Sequence, residues 1–524
     1  MYRNMNGGIL TDNREVTERC KQLSDEHLDG TQAESYGGGE SNFDGAANEK
    51  EVPTPVISEV KEAIRQLKNK KSAGKHSIGL LTLIPSGIFL AVGLFNPELH
   101  QHSWTFDHEE YTILLTILVF HLGAIAGAAI TAYLLATYYK QHIARFYYYA
   151  YIGAGVLLAA RFFDLWSIFI ARILGGMAFG SAYLSTVIHA GEIASDELRS
   201  TIVGFVNGSL MVGYLLHATI NSLILYDDSM EPTQIYGIIA ILAAVSSGVC
   251  ATFLTRESPL FLLNREGEMA AADTIAKLRQ EPIDSPVVFA ELVEAKIVVL
   301  DDPEHHASLH KEGNLRPLSL LIICAIIKAL SFNLIINLLQ LYAIDEINAW
   351  WNIQDYNLAP VLMILIRLVV AFAGIQTVDR LPRKLLFTVP SFVSGVLLLV
   401  AGIFYQTNRS ELSSATVVPL FLVYQLVSAS GCSSTGDVYC SEAFPPKKKV
   451  LSVALVQSVE QLVHVVVLSI AFSPKFSINE PIFGSILLAA GVPILVGSIV
   501  LQVLLPETKD VSLRQARVLF EKGR

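Results

Sequence analysis

Apolar residues in this chain come in blocks of about 17–25, the length that an α-helix needs to cross the hydrocarbon core of a membrane. With 52% hydrophobic and 16% charged residues and a mean hydropathy of +0.46, the chain is too apolar for an ordinary soluble protein. We predict an all-α membrane protein with twelve spans, at 77–95, 112–136, 146–161, 166–190, 200–225, 235–255, 317–342, 358–377, 385–405, 417–441, 450–472 and 481–505.

The basic residues between the predicted spans indicate how the chain is oriented. Lysines and arginines are concentrated in the loops after the even-numbered spans, whereas the loops on the other side hold only Arg161, Arg409 and Lys475. Because cytosolic loops are enriched in Lys and Arg, we predict that both termini are cytosolic. Asn408 opens an Asn-x-Ser sequon in the outer loop between spans 9 and 10, which predicts a glycosylation site.

Polar segments divide the chain into five predicted regions. Residues 1–75 form a cytosolic tail, mostly disordered and ending in a basic amphipathic helix suited to an anionic membrane surface. Residues 76–255 form a first six-helix bundle, 256–316 a cytosolic linker with short helices, 317–506 a second bundle and 507–524 a cytosolic tail.

Two matching phrases lie 250 residues apart in this sequence. Glu192 is followed seven residues later by Arg199, and Glu442 is followed seven residues later by Lys449. Each phrase begins at the predicted cytosolic end of a hydrophobic span. A repeat of this kind predicts two similar helical bundles around a central cavity, which is the architecture of many membrane carriers.

Six short motifs lie at the ends of the predicted spans. They are Arg172-Ile-Leu-Gly-Gly in span 4, Glu192 with Arg199 after it, Glu257-Ser-Pro-Leu-Phe-Leu-Leu after span 6, Asp379-Arg-Leu-Pro-Arg-Lys after span 8, Glu442 with Lys449 after span 10, and Pro506-Glu-Thr-Lys after span 12. In this order they resemble the sugar porter family of the major facilitator superfamily, over about residues 76–515. The chain looks like a divergent member, similar to glucose and trehalose transporters. The resemblance implies two pseudo-symmetric six-helix bundles.

The same resemblance implies an inner gate, in which charged residues at cytosolic helix ends pair across the bundles and then separate as the carrier opens inward. The alternative interpretation is ordinary charge on an inner surface. The predicted gate residues are Arg172, Glu192, Arg199, Asp379, Arg380, Arg383, Glu442 and Lys449.

The residues at the family's sugar-binding positions differ in this chain. Counting from the motifs places Asn207 where the family has Gln, Arg367 and Glu460 where it has Asn, and Asp437 where it has Trp. The Gln-Gln-x-x-Gly-x-Asn motif of span 7, which binds sugar hydroxyls in the family, is absent from this sequence. The gating motifs are therefore mostly kept, while the sugar-binding surface is rewritten.

Helical spacing predicts two further polar stripes that face the central cavity. They are Gln457, Glu460, Gln461 and His464 in span 11, and Asn333, Asn337 and Gln340 in span 7. Lys328 lies about 140° around the helix from Asn333, so it is predicted to pack elsewhere. His121 is isolated in span 2 and is interpreted as hydrogen-bonded locally.

Charge at membrane mid-depth costs at least about 2.5–3.5 kcal/mol per residue. We therefore expect Arg367 to pair with Glu460 or Asp437, or to lie in a wet cavity. Three interpretations stay open: a structural ion pair, a site for a charged or zwitterionic solute, and proton coupling. Proton coupling is disfavoured because span 1 lacks the Asp that proton-driven relatives usually carry.

The predicted function is a membrane transporter that moves a small polar solute, a sugar or polyol by family default, through facilitative alternating access. The alternatives are an organic anion or zwitterion carrier using Arg367, and a solute sensor that does not transport. No enzymatic activity, cofactor, metal or nucleic-acid partner is predicted. The expected partners are the solute and the lipid bilayer, with a monomeric multi-pass protein located in the plasma membrane.

Overall fold

A computed structural model describes residues 110–135, 137–160, 165–195, 198–223, 232–300, 312–333, 336–337, 340, 359–378, 380–407, 412–471, 480–509 and 511–522. The predicted N-terminal tail and the first span, 77–95, lie outside these residues. The helices in the described residues are α1 (Glu110–Leu135), α2 (Lys140–Ala159), α3 (Leu165–Ile193), α4 (Arg199–Leu223), α5 (Pro232–Leu254), α6 (Pro259–Arg265), α7 (Glu268–Arg279), α8 (Pro286–Leu300), α9 (Glu312–Ser331), α10 (Ala359–Val378), α11 (Arg383–Thr407), α12 (Leu412–Ala429), α13 (Cys432–Glu442), α14 (Pro446–Ala471), α15 (Glu480–Leu504) and α16 (Leu513–Lys522).

The long helices agree with the predicted spans. Ten helical segments in the described residues are long and apolar enough to cross a membrane, and they match predicted spans 2 and 4 to 12. Helix α2 covers the third predicted span but is less apolar, because its first turns carry Lys140, His142 and Arg145. The hydropathy of the sequence therefore located the long helices correctly wherever the structure describes them.

Close contact between α1 and α3 depends on glycines that face the partner backbone. A Cβ atom at Gly127 would lie 2.1 Å from the carbonyl oxygen of Met177, and one at Gly180 would lie 2.0 Å from that of Ala124. Small residues allow helices to approach closely in a membrane, where dispersion and packing replace the hydrophobic effect as the main attraction between helices. These close approaches pack α3 against α1, and α3 carries Tyr183 and Glu192.

Two predicted spans are interrupted in the structure. The tenth span divides into α12 and α13, with a break at Ser430 and Gly431, and α9 ends at Ser331 although span 7 was predicted to run to residue 342. A Cβ atom at Gly431 would lie 2.1 Å from the carbonyl oxygen of Leu386 in α11, so the break packs directly against a neighbouring backbone. Both predicted spans are present as apolar segments, but the helix within each is broken at these two points, which flank the central polar residues.

The short helices α6, α7 and α8 lie in the segment predicted to link the halves. Helices α7 and α8 pack around a small apolar core that includes Ile275 and Leu292. Arg279 at the end of α7 donates to both carboxylate oxygens of Glu291 at 2.7 and 2.9 Å, and to the carbonyl of Ile193 at 3.2 Å. These bonds fix the linker to the end of α3, beside the predicted gate.

Candidate functional site

A buried ion cluster joins four helices in the interior. Lys328 in α9 places its Nζ atom 2.8 Å from Oδ1 of Asp437 in α13 and 3.3 Å from Oε2 of Glu460 in α14. The same ammonium donates to the hydroxyl of Tyr183 in α3 at 2.5 Å, and that hydroxyl donates to Oδ1 of Asp437. We call these four residues the lysine cluster. Because α3 precedes the linker and the other three helices follow it, the cluster connects the two halves of the chain.

The position of Lys328 corrects the sequence prediction that it packs elsewhere. A projection at 100° per residue assumes a continuous helix, but α9 ends at Ser331, between Lys328 and Asn333. The lysine stem also carries its charge several ångströms from the helix axis, so its ammonium reaches carboxylates on two neighbouring helices. The interruption of span 7 is what made the helical projection fail.

Arg367 belongs to a second group of buried polar residues. Its Nη1 atom donates to Oε1 of Gln425 at 2.6 Å and to Oγ of Ser428 at 3.0 Å. The amide nitrogen of Gln425 donates to Oδ1 of Asn337 at 3.1 Å and to Oε1 of Gln340. We call these five residues the arginine–amide group. It brings together three of the residues proposed from the sequence and adds two from α12, Gln425 and Ser428, that sequence reasoning missed.

The expected pairing of Arg367 with Asp437 or Glu460 is wrong. Both carboxylates contact Lys328, and the guanidinium of Arg367 lies 4.2 Å from the ring centroid of Phe332. Arg367 instead donates its hydrogen bonds to Gln425 and Ser428. The interior therefore holds two separate polar groups where one ion pair was expected.

The polar face of span 11 contacts the first half of the chain. Gln457 donates to the carbonyl of Gly180 in α3 at 3.2 Å, and Oε1 of Gln461 lies 2.8 Å from Nδ1 of His121 in α1. The ring of His464 stacks on that of His121, with centroids 5.2 Å apart and an interplanar angle of 19°. The interpretation of His121 as isolated is therefore wrong. The one relevant signal in the sequence was the polar face of span 11, which contains its partners Gln461 and His464.

Asn207 and Asn333 are also buried. Asn207 lies in α4 beside Gly208, where a Cβ atom would contact Phe372 of α10 at 3.4 Å. It therefore occupies the turn of α4 that packs near α10. Asn333 follows the end of α9, and its carbonyl accepts a hydrogen bond from the backbone nitrogen of Asn337 at 3.1 Å.

The predicted inner gate contains a buried ion pair between the halves. Glu442, at the end of α13, accepts hydrogen bonds from Nη1 of Arg383 at 2.7 and 2.8 Å and lies 3.4 Å from Nη1 of Arg199. Arg383 also donates to the carbonyl and the hydroxyl of Thr508, at 2.7 and 3.0 Å. Arg199 begins α4, so its pair with Glu442 crosses from the first half to the second.

Glu192 lies beside this pair and has its own cation. Its carboxylate pairs with Lys140 at the start of α2. Glu192, Glu442 and the buried Lys449 line one small cavity. Arg514 and Arg517 of α16 line the same cavity, so the C-terminal helix contributes positive charge to the gate.

Two predicted gate residues, Arg172 and Arg380, lie outside the ion pairs of the gate. Arg172 lies twenty residues before Glu192 in α3, about 30 Å away along the helix, and contacts Phe120 and the carbonyl of Thr116. Its assignment to the inner gate is wrong, because it lies near the other end of α3. Arg380 is exposed, and its carbonyl accepts from Nζ of Lys509 at 2.7 Å. Asp379 and the predicted glycosylation site Asn408 lie outside the described residues.

Comparison with known proteins assigns the family. The sequence profile described as "Sugar (and other) transporter" matches residues 62–520. The chain belongs to this family. Facilitated trehalose transporter Tret1 of Polypedilum vanderplanki is 24% identical over 306 residues, which is 56% of this chain and 57% of that protein. Tret1 of Drosophila grimshawi is 24% identical over 282 residues, covering 53% of this chain and 29% of that protein. These matches span less than two thirds of each relative.

Solved structures confirm the fold. The xylose symporter XylE bound to 6-bromo-6-deoxy-D-glucose superposes with a TM-score of 0.69 at 18% identity, covering 88% of this chain and 100% of that one. The inward-open form of XylE from E. coli gives a TM-score of 0.57 at 17% identity, covering 87% and 99%. The family and the fold together make this chain an integral, multi-pass membrane protein with the all-α major facilitator fold that the sequence predicted.

Proposed function

We propose that this protein is a facilitative carrier that moves a small polar solute across a membrane by alternating access. The observation that carries the proposal is the buried pair of Glu442 with Arg199, which joins the two halves at the predicted cytosolic side. In a carrier such a pair holds the inner gate closed and separates when the bundles rotate. Because the pair joins the two halves, opening of the carrier on this side would have to break it.

The lysine cluster and the arginine–amide group supply the polar interior that such a carrier needs. Tyr183 comes from the first half, while Lys328 and Arg367 come from the second, so solute contacts and bundle closure involve the same region. Sugars and polyols are the first substrate class to test, since the relatives are described as trehalose and xylose transporters. Asn337, Gln340 and Gln425 offer amide groups of the kind that bind hydroxyls.

A second candidate is a carrier of organic anions or zwitterions. It is favoured by Arg367, a buried guanidinium set among amides, because the planar fork of arginine matches a carboxylate. Under this proposal the solute carboxylate contacts Arg367, and Gln425 orients the guanidinium. A neutral hexose gains little from that charge.

Proteoliposome uptake decides between these candidates. The purified full chain is reconstituted, and counterflow of labelled hexoses, disaccharides and polyols is compared with that of organic anions and zwitterions. Saturable exchange of any of them supports a carrier, and the preferred class identifies the substrate. Solute binding without counterflow would instead support a sensor and would contradict the proposal.

The regional organisation is proposed on the same basis. The bundles occupy 76–255 and 317–506, the linker lies at 256–316, and the segments 1–75 and 507–524 are cytosolic. The protein is proposed to act as a monomer in the plasma membrane. Contacts of the linker with α3, and of α16 with the gate cavity, support a cytosolic position for both.

A further inference from the structure

The lysine cluster carries more negative than positive groups. Two carboxylates, Asp437 and Glu460, share the single ammonium of Lys328. The other titratable groups that face Asp437 are the hydroxyl of Tyr183 on α3 and the thiol of Cys440 on its own helix. Tyrosine and cysteine side chains are ordinarily neutral at pH 7. With both carboxylates ionised, the cluster therefore has a net charge of about −1.

The hydrogen bonds of Asp437 leave one of its oxygens unused. Oδ1 receives both the ammonium of Lys328 and the hydroxyl of Tyr183, whereas Oδ2 is buried and has no hydrogen-bond partner among the described residues. Asp437 is only 2% exposed. The amide oxygen of Gln457, one turn before Glu460 in α14, is likewise buried without a partner in that part of the chain. Two hydrogen-bond acceptors thus lie at or beside a cluster that already has excess negative charge.

Burial of an uncompensated carboxylate inside a membrane protein is costly, and a missing hydrogen bond adds to that cost. Arg367 donates its hydrogen bonds to Gln425 and Ser428 and stacks on Phe332, so its guanidinium is engaged in the arginine–amide group. One added positive group that donates hydrogen bonds would remove the excess charge and could satisfy Oδ2 of Asp437. The surroundings of Asp437 therefore suit one added monovalent cation, which either donates a hydrogen bond to Oδ2 or, if it is Na⁺, coordinates that oxygen directly.

We infer that Asp437, Glu460 and Lys328 form a subsite for one monovalent cationic group. This inference rests on the proposed alternating-access carrier and adds a charge requirement to it. If an ion supplies the charge, the carrier is a symporter and not a facilitative carrier. The positive group has two possible sources with the same charge: an ammonium carried by the solute itself, or a proton or Na⁺ that moves with the solute. Because Tyr183 belongs to the other half of the chain, occupation of the subsite also affects how tightly the two halves close.

Direct binding tests the subsite without any transport assay. The thermal unfolding midpoint of the purified full chain in detergent is measured against methylammonium chloride, sodium chloride and pH, with choline chloride keeping the ionic strength constant. We expect a saturable rise in the midpoint with one of the three. Asp437→Asn should raise the half-saturating concentration by about tenfold or more, equivalent to ~1.4 kcal/mol.

The matched control is Asp273→Asn, which removes a carboxylate 2.5 Å from Lys277 on the exposed surface of α7. It should leave the cation response unchanged. If Asp437→Asn fails to fold, Glu460→Gln replaces it, because Glu460 lies at a longer distance from Lys328. A wild-type midpoint that no cation or pH change shifts saturably, or a response that both variants retain, overturns the inference.

Transport measurements then identify the source of the charge. If the solute carries it, amino-bearing solutes exchange faster than neutral analogues, and no ion gradient drives accumulation. If an ion carries it, an imposed proton or Na⁺ gradient drives a neutral solute uphill. Loss of either behaviour in Asp437→Asn supports the subsite. If no solute moves in the wild type, the carrier proposal fails while the binding measurement still decides the subsite.

Discussion

Among single residues, Glu442 has contacts in both halves of the molecule. It binds Arg383 within its own half and Arg199 across the seam, and its side chain is fully buried. We predict that Glu442→Gln slows solute exchange about tenfold or more while changing solute affinity much less, because the residue stabilises one conformation and does not contact solute. Counterflow rates and equilibrium binding, measured on the same preparation, check this.

Glu507→Gln is the comparison for Glu442. Glu507 accepts hydrogen bonds from the backbone nitrogens of Arg383, Lys384 and Lys509, all in the second half. Its substitution should lower the unfolding midpoint and leave the exchange rate closer to wild type. Collapse of solute affinity in Glu442→Gln at an unchanged exchange rate would contradict the role of Glu442 in the gate.

The separation of Arg367 from Glu460 predicts the outcome of two double-mutant cycles. Because Lys328 pairs with Glu460, the free-energy changes of Lys328→Met and Glu460→Gln should couple by about 0.5–3 kcal/mol. Those of Arg367→Gln and Glu460→Gln should couple more weakly, since Arg367 hydrogen-bonds Gln425 and Ser428 whereas Glu460 pairs with Lys328. Chemical unfolding of the four single and double variants measures both cycles. Strong coupling in the second cycle would instead indicate that Arg367 and Glu460 form the ion pair that the sequence suggested.

The sequence predicted which polar residues lie in the interior more accurately than it predicted their contacts. Motif spacing identified Arg367, Asp437 and Glu460 as unusual, since charges in apolar spans are costly wherever they point. It could not assign the partner of Glu460, because that depends on the interruption of α9 and on the reach of Lys328. Arg172 was misassigned for another reason. It lies near the start of span 4 and Glu192 lies at the cytosolic end, so the predicted topology already placed Arg172 on the opposite side of the membrane.

At the scale of helices, the seam between α1 and α3 gives a stability prediction. A methyl group at Gly180 would lie 2.0 Å from a backbone oxygen of α1, so Gly180→Ala must push the helices apart, at a cost of about 1–3 kcal/mol. Gly153 in α2 is the matched control, because no atom lies within 4 Å of its added Cβ. Gly153→Ala should raise the free energy of unfolding by about 0.5–1 kcal/mol, because alanine has a higher helix propensity than glycine. If the unfolding midpoints of both variants shifted in the same direction from that of the wild type, this packing would be contradicted.

Helix interruptions were the part of the fold that the sequence did not predict. A hydropathy window averages composition over about nineteen residues, so an apolar stretch with a local break still scores as one span. The break at Ser430 and Gly431 requires the backbone of α11 nearby, which is a tertiary contact. Long apolar helices could therefore be predicted, whereas the point where α12 becomes α13 could not.

For the whole molecule, the predicted topology has a direct test. Tags at either terminus should be accessible only after the plasma membrane is permeabilised, because the basic loops indicate cytosolic ends. Asn408→Gln should abolish a glycosidase-sensitive shift in gel mobility. Asn207-Gly-Ser also matches the sequon pattern but lies inside α4. Asn207→Gln should therefore leave the mobility shift intact. An externally accessible terminus would reverse the orientation and the position of the gate.

Closure of the two halves at the gate gives the last prediction. Gly191, near the end of α3, faces Ser441 of α13, and a Cβ atom there would lie 2.7 Å from the Cβ of Ser441. Gly191→Leu should hold the halves apart on the gate side and shift the population away from the closed arrangement. A shift from 1:99 to 99:1 corresponds to about 5.5 kcal/mol, so a clash of 1–3 kcal/mol moves the population by about one or two powers of ten.

Hydrogen–deuterium exchange measures this shift without labels. Peptides covering residues 186–200 and 436–449 should exchange faster in Gly191→Leu, since separation of Glu442 from Arg199 exposes both helix ends to water. Gly153→Leu, at a position with open space, should leave these peptides unchanged. Faster exchange throughout the chain would indicate unfolding. Unchanged exchange in the two gate segments of a folded variant would show that they do not separate, and the alternating-access proposal would lose its inner gate.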